Sequence, residues 1–363
     1  TADKDLGLPY PEIPEDRPGI TYQRGTLAEL YAHIDKDITE GIPELGSRYV
    51  SPKFHFNVSA AHAFAARFYL YYRKFDKAVE HATRVLGSNP ASVLRDWSAW
   101  SKLGLSGNIQ PNDFVKSSNK ANLFLQVIAT EWGGISIPIA AGSKYAHGNL
   151  ISDKETLQAP SPWAASGQEM NYVVVNNSGI SKYALHKLPY TPKYIDRQAG
   201  IGIPYSEYAV FTTDETLMVR AEALALLGRY DEALADLNAE LSVFTKRGVQ
   251  ITLDQIKAFY NGTAYYKPDA PTPKKELHTS ITLDKVTQEP LLQCILQLRR
   301  VLTIHEGLRM QDVKRYGITI YRRRISSTGV LEQVTDQMQA RDPRLAIQIP
   351  QDVISAGLTA NPR

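Results

Sequence analysis

Residues 60–86, AAHAFAARFYLYYRKFDKAVEHATRVL, and residues 215–241, ETLMVRAEALALLGRYDEALADLNAEL, carry one pattern written twice, 155 positions apart. In register, Ala66 falls on Ala221, Phe75-Asp76 on Tyr230-Asp231, Ala78 on Ala233 and Leu86 on Leu241, with a basic or small-residue turn before each aromatic. The pattern predicts a helical hairpin at each place. Alanines at 78 and 233 let two antiparallel helices approach closely, while the aromatic ahead of them wedges the turn. The wide separation excludes a simple tandem array.

Other helices follow by periodicity. Thr26 with Glu29 three residues on reads as a capping box, and Leu27, Leu30, Ile34 and Ile38 form the apolar stripe of a helix that Gly41 and Pro43 end. Ser59 is the expected opening of the first hairpin, and Gly87 and Pro90 its close. The second is expected to start at Thr213 or Asp214 and run to about Phe244. A single helix over 289–316 is expected, with Leu292, Ile295, Leu298 and Leu302 on one face and Gly317 as its stop. Glu306, Arg309, Asp312 and Arg315 would then form a stripe of opposite charges fixing it against a neighbour.

Between residues 91 and 210 the helical period fades, and all four tryptophans lie there. Residues 121–130 predict one buried element, and 172–175 a short strand closed by an Asn176-Asn177 turn. A long stretch of irregular chain on a helical frame is where a binding surface is expected. The prediction is a mainly α single domain over 1–363. Its helical scaffold spans about 26–90, 213–244 and 289–317, and a loop-rich insertion covers about 91–210.

Composition narrows the functional classes. With 43% hydrophobic and 22% charged residues the 363-residue chain can bury roughly three quarters of its unfolded surface. A formal charge of +3 with scattered basic residues offers no footprint for nucleic acid, and Arg322-Arg323-Arg324 reads as a solvated helix end. The one cysteine, Cys294, sits among Leu291, Leu292, Ile295 and Leu296 and reads as a buried, inert thiol. No run of about 18 apolar residues is present. The start, Thr1-Ala2-Asp3, reads as a processed or trimmed chain, with any lipid-anchoring cysteine lying ahead of it.

Both hairpins resemble tetratricopeptide repeats. The segment Leu298-Arg299-Arg300-Val301-Leu302-Thr303-Ile304-His305-Glu306-Gly307-Leu308-Arg309-Met310-Gln311-Asp312-Val313-Lys314-Arg315-Tyr316-Gly317 resembles the "ER-x-x-EL-x-x-EG-x-R-x-x-DL-x-RWG" signature of the SusD/RagB family. Gly7-Leu8-Pro9-Tyr10, the helix around Asp35 to Ile38, Phe211-Thr212-Thr213-Asp214-Glu215 with Val219-Arg220-Ala221-Glu222-Ala223, and Asp342-Pro343-Arg344-Leu345 agree with the same family in order. Leu298 departs from it, standing where the family has a glutamate. The family also carries a first helical hairpin and a lipobox cysteine before the point where this chain begins, a part expected to be missing or trimmed. The resemblance implies a SusD-like, mainly α fold and a surface-exposed outer-membrane lipoprotein of the Bacteroidetes kind. Such a protein binds an oligosaccharide and delivers it to a TonB-dependent, SusC-like transporter in polysaccharide utilisation. Membrane contact would come through a lipid anchor lying outside this chain.

No catalytic signature appears. His305-Glu306 lacks the second histidine one turn on, because Arg309 stands there, and no other Cys/His spacing suggests a metal. There is no Gly-x-Ser-x-Gly elbow and no phosphate loop. No metal ligands, catalytic residues or cofactor are therefore assigned. The chemistry left is recognition, in which flat rings cover the apolar face of a sugar and amide or charged groups satisfy its hydroxyls. The ligand-binding candidates are Trp97, Trp100, Trp132, Tyr145, Trp163 and Tyr172, with Tyr265-Tyr266 as weaker ones. Two rival readings are a helical-repeat module that binds peptide or protein in a groove, and a surface glycosidase.

Overall fold

The computed structural model describes residues 2–17, 20–46, 48–135, 147–177, 182–326 and 330–363. Helix α1 (Leu27–Gly41) opens on the expected box: the Thr26 hydroxyl accepts from the Glu29 N–H, and the Glu29 carboxylate accepts from the Thr26 N–H at 2.7 Å. The first hairpin follows as α2 (Val58–Tyr72) and α3 (Phe75–Leu86). Its N-cap is Asn57 rather than Ser59, because the Asn57 side chain is the group that accepts from the Ala60 N–H. Ala65, Ala66, Ala78 and Ala82 are fully buried, which is the close approach the alanine pattern implies.

The insertion is less irregular than its composition suggests. Short helices α4 (Trp97–Ser101) and α5 (Ile109–Val115) lead into strand β1 (Asn122–Ala129), which occupies the place of the element expected over 121–130 but is buried only in its first half, with Gln126 to Ala129 exposed. Helices α6 (Trp132–Ile135) and α7 (Asn149–Glu155) come next, then the small pair β2 (Val175–Asn177) and β3 (Lys182–Ala184). The strand expected over 172–175 therefore starts only at Val175, and Asn176 and Asn177 belong to the strand instead of a turn. Tyr172 is drawn inward instead, with its hydroxyl donating to the Leu157 carbonyl at 2.7 Å. Strands β4 (Thr191–Asp196) and β5 (Ile201–Thr212) complete a three-stranded antiparallel sheet in the order β1-β5-β4. Its inner end is pinned to the hairpin by Phe211, packed with Ala60, Ala63, Phe64 and Phe124.

From the sheet the chain enters the second hairpin, α8 (Thr213–Leu226) and α9 (Tyr230–Phe244). The cap is Thr212, whose hydroxyl accepts from the Glu215 N–H, one position ahead of the expected start. Although far apart in sequence the two hairpins are neighbours in space: α3 packs against α8, giving the side-by-side order α2, α3, α8, α9. Helix α10 (Leu253–Gly262) and then α11 (Gln288–Leu302) follow, and α11 lies against α8.

The single helix expected over 289–316 is in fact two. Helix α11 stops at Leu302, and α12 (Arg309–Tyr316) begins after a turn in which His305 takes φ 70° and Gly307 φ 80°, both left-handed. The expected charge stripe is broken accordingly. Glu306 lies in the turn and pairs with Lys187 at 2.8 Å, while Asp312 and Arg315 join Glu222 and Arg299 in a buried network. Gly317 (φ 59°) stops α12 as expected. The arginine run 322–324 is not a helix end but lies in β6 (Ile320–Ile325), paired with β7 (Leu331–Met338), and Arg323 is turned in to Glu155. A last short helix, α13 (Gln351–Ser355), closes the chain. Cys294 is fully buried, and burial raises its thiol well above the usual range.

Candidate functional site

The candidate aromatics divide sharply. Trp97 and Trp100 are each 1% exposed, and their rings meet edge to face at 5.5 Å between centroids. The Trp97 indole donates to Asp214 and the Trp100 indole to the Gln110 carbonyl, so ring and polar edge are both committed to the core. Trp163 and Tyr172 are each 6% exposed and pack around Leu157, Met170 and Val301. Tyr145 lies outside the described residues. Trp132, at 43% exposure, presents a large flat ring to solvent, and of the weaker pair Tyr265 is exposed at 39%, its hydroxyl donating to Glu289.

Backbone contacts fix Trp132 in place. Its indole Nε1 donates to the His305 carbonyl at 3.4 Å, and the following N–H, that of Gly133, donates to Ser206 Oγ at 3.1 Å. A side chain at 133 could not fit, since a Cβ would stand 2.3 Å from Ser206 Oγ and 2.4 Å from the Pro189 carbonyl oxygen. The Ser206 hydroxyl in turn donates to that carbonyl at 2.8 Å. Trp132 is thus tied at one end to strand β5 and at the other to the turn between α11 and α12.

Along the same face of the sheet runs a cavity of about 210 Å³. In the β1–β5 register Ile128 lies opposite Ser206 and Gln126 opposite Tyr208, so Gln126, Ile128 and Tyr208 share one face with Ser206 and all three line the cavity. The helical frame supplies the rest of the wall: Arg67 from α2, Glu215 from α8, and Glu306 and Leu308 from the turn. Arg67 grips Glu215 in a two-pronged pair, Nε to Oε1 at 2.8 Å and Nη2 to Oε2 at 2.9 Å, and Nη2 also reaches the Val210 carbonyl. Burial opposes the Arg67 charge, but Glu215 raises its pKa above the ordinary arginine value. Burial likewise pushes the Glu306 carboxyl up and the Lys187 ammonium down, and each restrains the other.

This wall combines apolar side chains, a phenol, an amide and a paired guanidinium. The Ser206 hydroxyl is engaged on both sides, as acceptor and donor. Such a set suits hydrogen bonding and ring stacking. Sequence reading missed Arg67, Gln126, Tyr208 and Glu215. Alternation along Ile201–Thr212, with Ser206 and Tyr208 on one parity and Tyr205 and Glu207 on the other, was the available signal for a strand with a polar face. Arg67 stood out as the charge inside the alanine-rich run of α2.

A family profile named SusD-like_3 and described as "Starch-binding associating with outer membrane" matches residues 6–70. No curated protein matches the sequence. Among solved structures, a SusD superfamily protein from Bacteroides thetaiotaomicron superposes with a TM-score of 0.62 at 20% identity, covering 99% of this chain and 72% of its own. A putative sugar binding protein from Bacteroides vulgatus gives 0.60 at 17% identity, covering 98% and 70%. A SusD-like carbohydrate binding protein from the same species gives 0.50 at 15% identity, and there the chain spans 58% of the relative's length. At these identities the likeness is one of fold, and it extends over nearly the whole chain. The chain thus has the fold of the SusD-like proteins over nearly its whole length, and it matches the SusD-like_3 profile in sequence over residues 6–70.

Proposed function

We propose that the chain is a non-catalytic glycan-binding protein of the bacterial surface, which holds an oligosaccharide at the sheet cavity and passes it to a TonB-dependent, SusC-like transporter. The carrying observation is the exposed Trp132 ring, held by main-chain contacts to His305, the neighbour of the lining residue Glu306, and through Gly133 to Ser206, on the sheet face whose cavity offers Gln126, Tyr208 and Arg67. At about 210 Å³ the cavity is smaller than the roughly 300–1,000 Å³ of sites that enclose a whole small molecule. It therefore suits one part of a longer chain lying across the surface, with modest affinity until a partner covers the remainder. The family description, with its starch binding and outer-membrane association, supports the same reading, and with it we propose a surface lipoprotein location. No helix among the described residues is long and apolar enough to cross a membrane.

Calorimetric titration of the protein with a panel of neutral oligosaccharides tests this. Trp132→Ala is expected to weaken binding about two- to tenfold, the equivalent of the roughly 0.5–1.5 kcal/mol of an aromatic contact. Unchanged affinity in that variant, or binding of peptides in place of glycans, overturns the assignment. Co-purification of a TonB-dependent barrel with the protein from its native membranes tests the transfer step, and its absence overturns that step.

A further inference from the structure

A second site is written in the charge arrangement around Glu155, at the end of α7. Three cations converge on this one carboxylate: Lys275 Nζ at 2.6 Å, Arg300 Nη1 at 3.1 Å and Arg323 Nη2 at 3.2 Å. Arg309 adjoins them, and its partner is Asp312 at 3.5 Å, which already takes Arg299 at 2.5 Å and Arg315 at 2.9 Å. Glu222 is shared by the same Arg299 and Arg315. Among the described residues, the ion pairs of these six cations run to Glu155, Glu222 and Asp312 and to no other carboxylate. Positive charge is therefore in excess by three.

An excess of this kind is costly where water is scarce, because each charge loses hydration that only an opposite charge restores. The Lys275 and Arg323 side chains are each 9% exposed, and Arg323 Nη1 is shut off from solvent with no hydrogen-bond acceptor. The Tyr266 ring lies 3.5 Å from Lys275 Nζ, and its π face eases that charge without cancelling it. Crowding shows in the titration of the group: burial, and then Arg300, bring Arg309 down to about 10, and burial drops Lys275 well below its usual value in spite of Glu155. On one side the cluster meets solvent, through Arg300 at 19% and Arg309 at 27% side-chain exposure.

The geometry points to an oxyanion site here, in which Arg300 and Arg309 at the mouth and Arg323 behind them receive one carboxylate, sulfate or phosphate group. Planar guanidinium forks are the side chains best shaped for such oxygens. The anion is either free in solution or a substituent of an acidic sugar. The site shares no residue with the sheet cavity and stands whether or not that cavity binds glycan.

The test titrates the full chain with sodium phosphate, sodium sulfate and digalacturonate, with ionic strength held constant by chloride. Saturable binding of at least one is expected, and it should protect Arg300 and Arg309 from phenylglyoxal, read by peptide mass spectrometry, while Arg84, 58% exposed, reacts as before. Arg300→Gln and Arg309→Gln should each weaken binding by about tenfold or more. Binding of digalacturonate alone identifies an acidic sugar as the source, and binding of the inorganic ions a free anion. Absence of saturable binding by all three, or binding that leaves the reaction of Arg300 and Arg309 unchanged, overturns the site.

Discussion

Glu222→Gln is the most informative single change in the frame. Glu222 is fully buried on α8, where its carboxylate receives Arg299 at 2.5 Å, both Nη atoms of Arg315, and the Tyr316 hydroxyl at 2.6 Å. This one group joins the second hairpin to α11 and α12. Burial pushes the carboxyl up, but Arg299 and Arg315 outweigh it and hold the pKa at about 2. Glutamine keeps the shape and removes the charge, leaving Arg299, Arg309 and Arg315 facing Asp312 alone. Removing one partner of a buried ion pair costs about 3–5 kcal/mol. With an unfolding entropy of about 2.1 cal/mol/K per residue, a 363-residue chain that unfolds as one unit changes by about 0.76 kcal/mol per degree, so Tm should fall by about 4–7 °C. Thermal denaturation followed by circular dichroism at pH 7 reads this directly. A second signature follows from linkage: a carboxylate whose folded pKa lies below its unfolded value gives stability that is present above about 4.5 and is lost as pH falls towards 2. The acid limb of the stability curve should therefore be shallower in Glu222→Gln. Adding Arg315→Met, which takes away one uncompensated cation, should recover part of the loss. A single variant within about 1 °C of the parent, or a double variant worse than the single, refutes the argument that charge balance in this network holds α8 to α12.

Two further outcomes are expected. Gly133→Ala forces a Cβ into the Ser206 hydroxyl and the Pro189 carbonyl, so it should displace Trp132 and weaken glycan binding as much as Trp132→Ala does, which parallel titrations would show. His62 and His81 meet across α2 and α3 with their Nδ1 atoms 2.9 Å apart, and burial, then His62, bring His81 down to about 4. Their contribution is complete above the ordinary histidine pKa of about 6.5 and should decline as pH falls towards 4, since the unfolded chain takes up the proton first. His81→Leu should flatten that limb of a urea-denaturation series, and an unaltered slope would exclude the pair as its origin.

The frame was legible because local rules and tertiary packing agree there. Thr26 with Glu29, the alanines at 66, 78, 221 and 233, and Gly317 each encode a contact made within a few residues or within one hairpin. Legibility ended where distant partners decide. Nothing local in residues 298–317 shows that His305 and Gly307 turn left-handed, because the turn answers to Lys187 and Trp132, both far away in sequence. The tryptophans show the same limit. Trp97 and Trp100 differ from Trp132 in what covers them, and the cover comes from Phe114 and, over Trp97, Phe244, supplied by α5 and α9. The sheet cavity was hidden for a related reason: Gln126 and Tyr208 become neighbours only through the β1–β5 register, and Arg67 and Glu215 only through the packing of α2 on α8.

That packing has an evolutionary corollary. The segment between Leu86 and Thr213 leaves and re-enters the frame at a single seam, where α3 meets α8. With its ends already held together, doubling such an excursion adds only about 0.6 kcal/mol of closure entropy. The helices can thus stay constant while those parts of the excursion that do not pack on the frame, as Trp97 and Lys187 do, are lengthened or shortened.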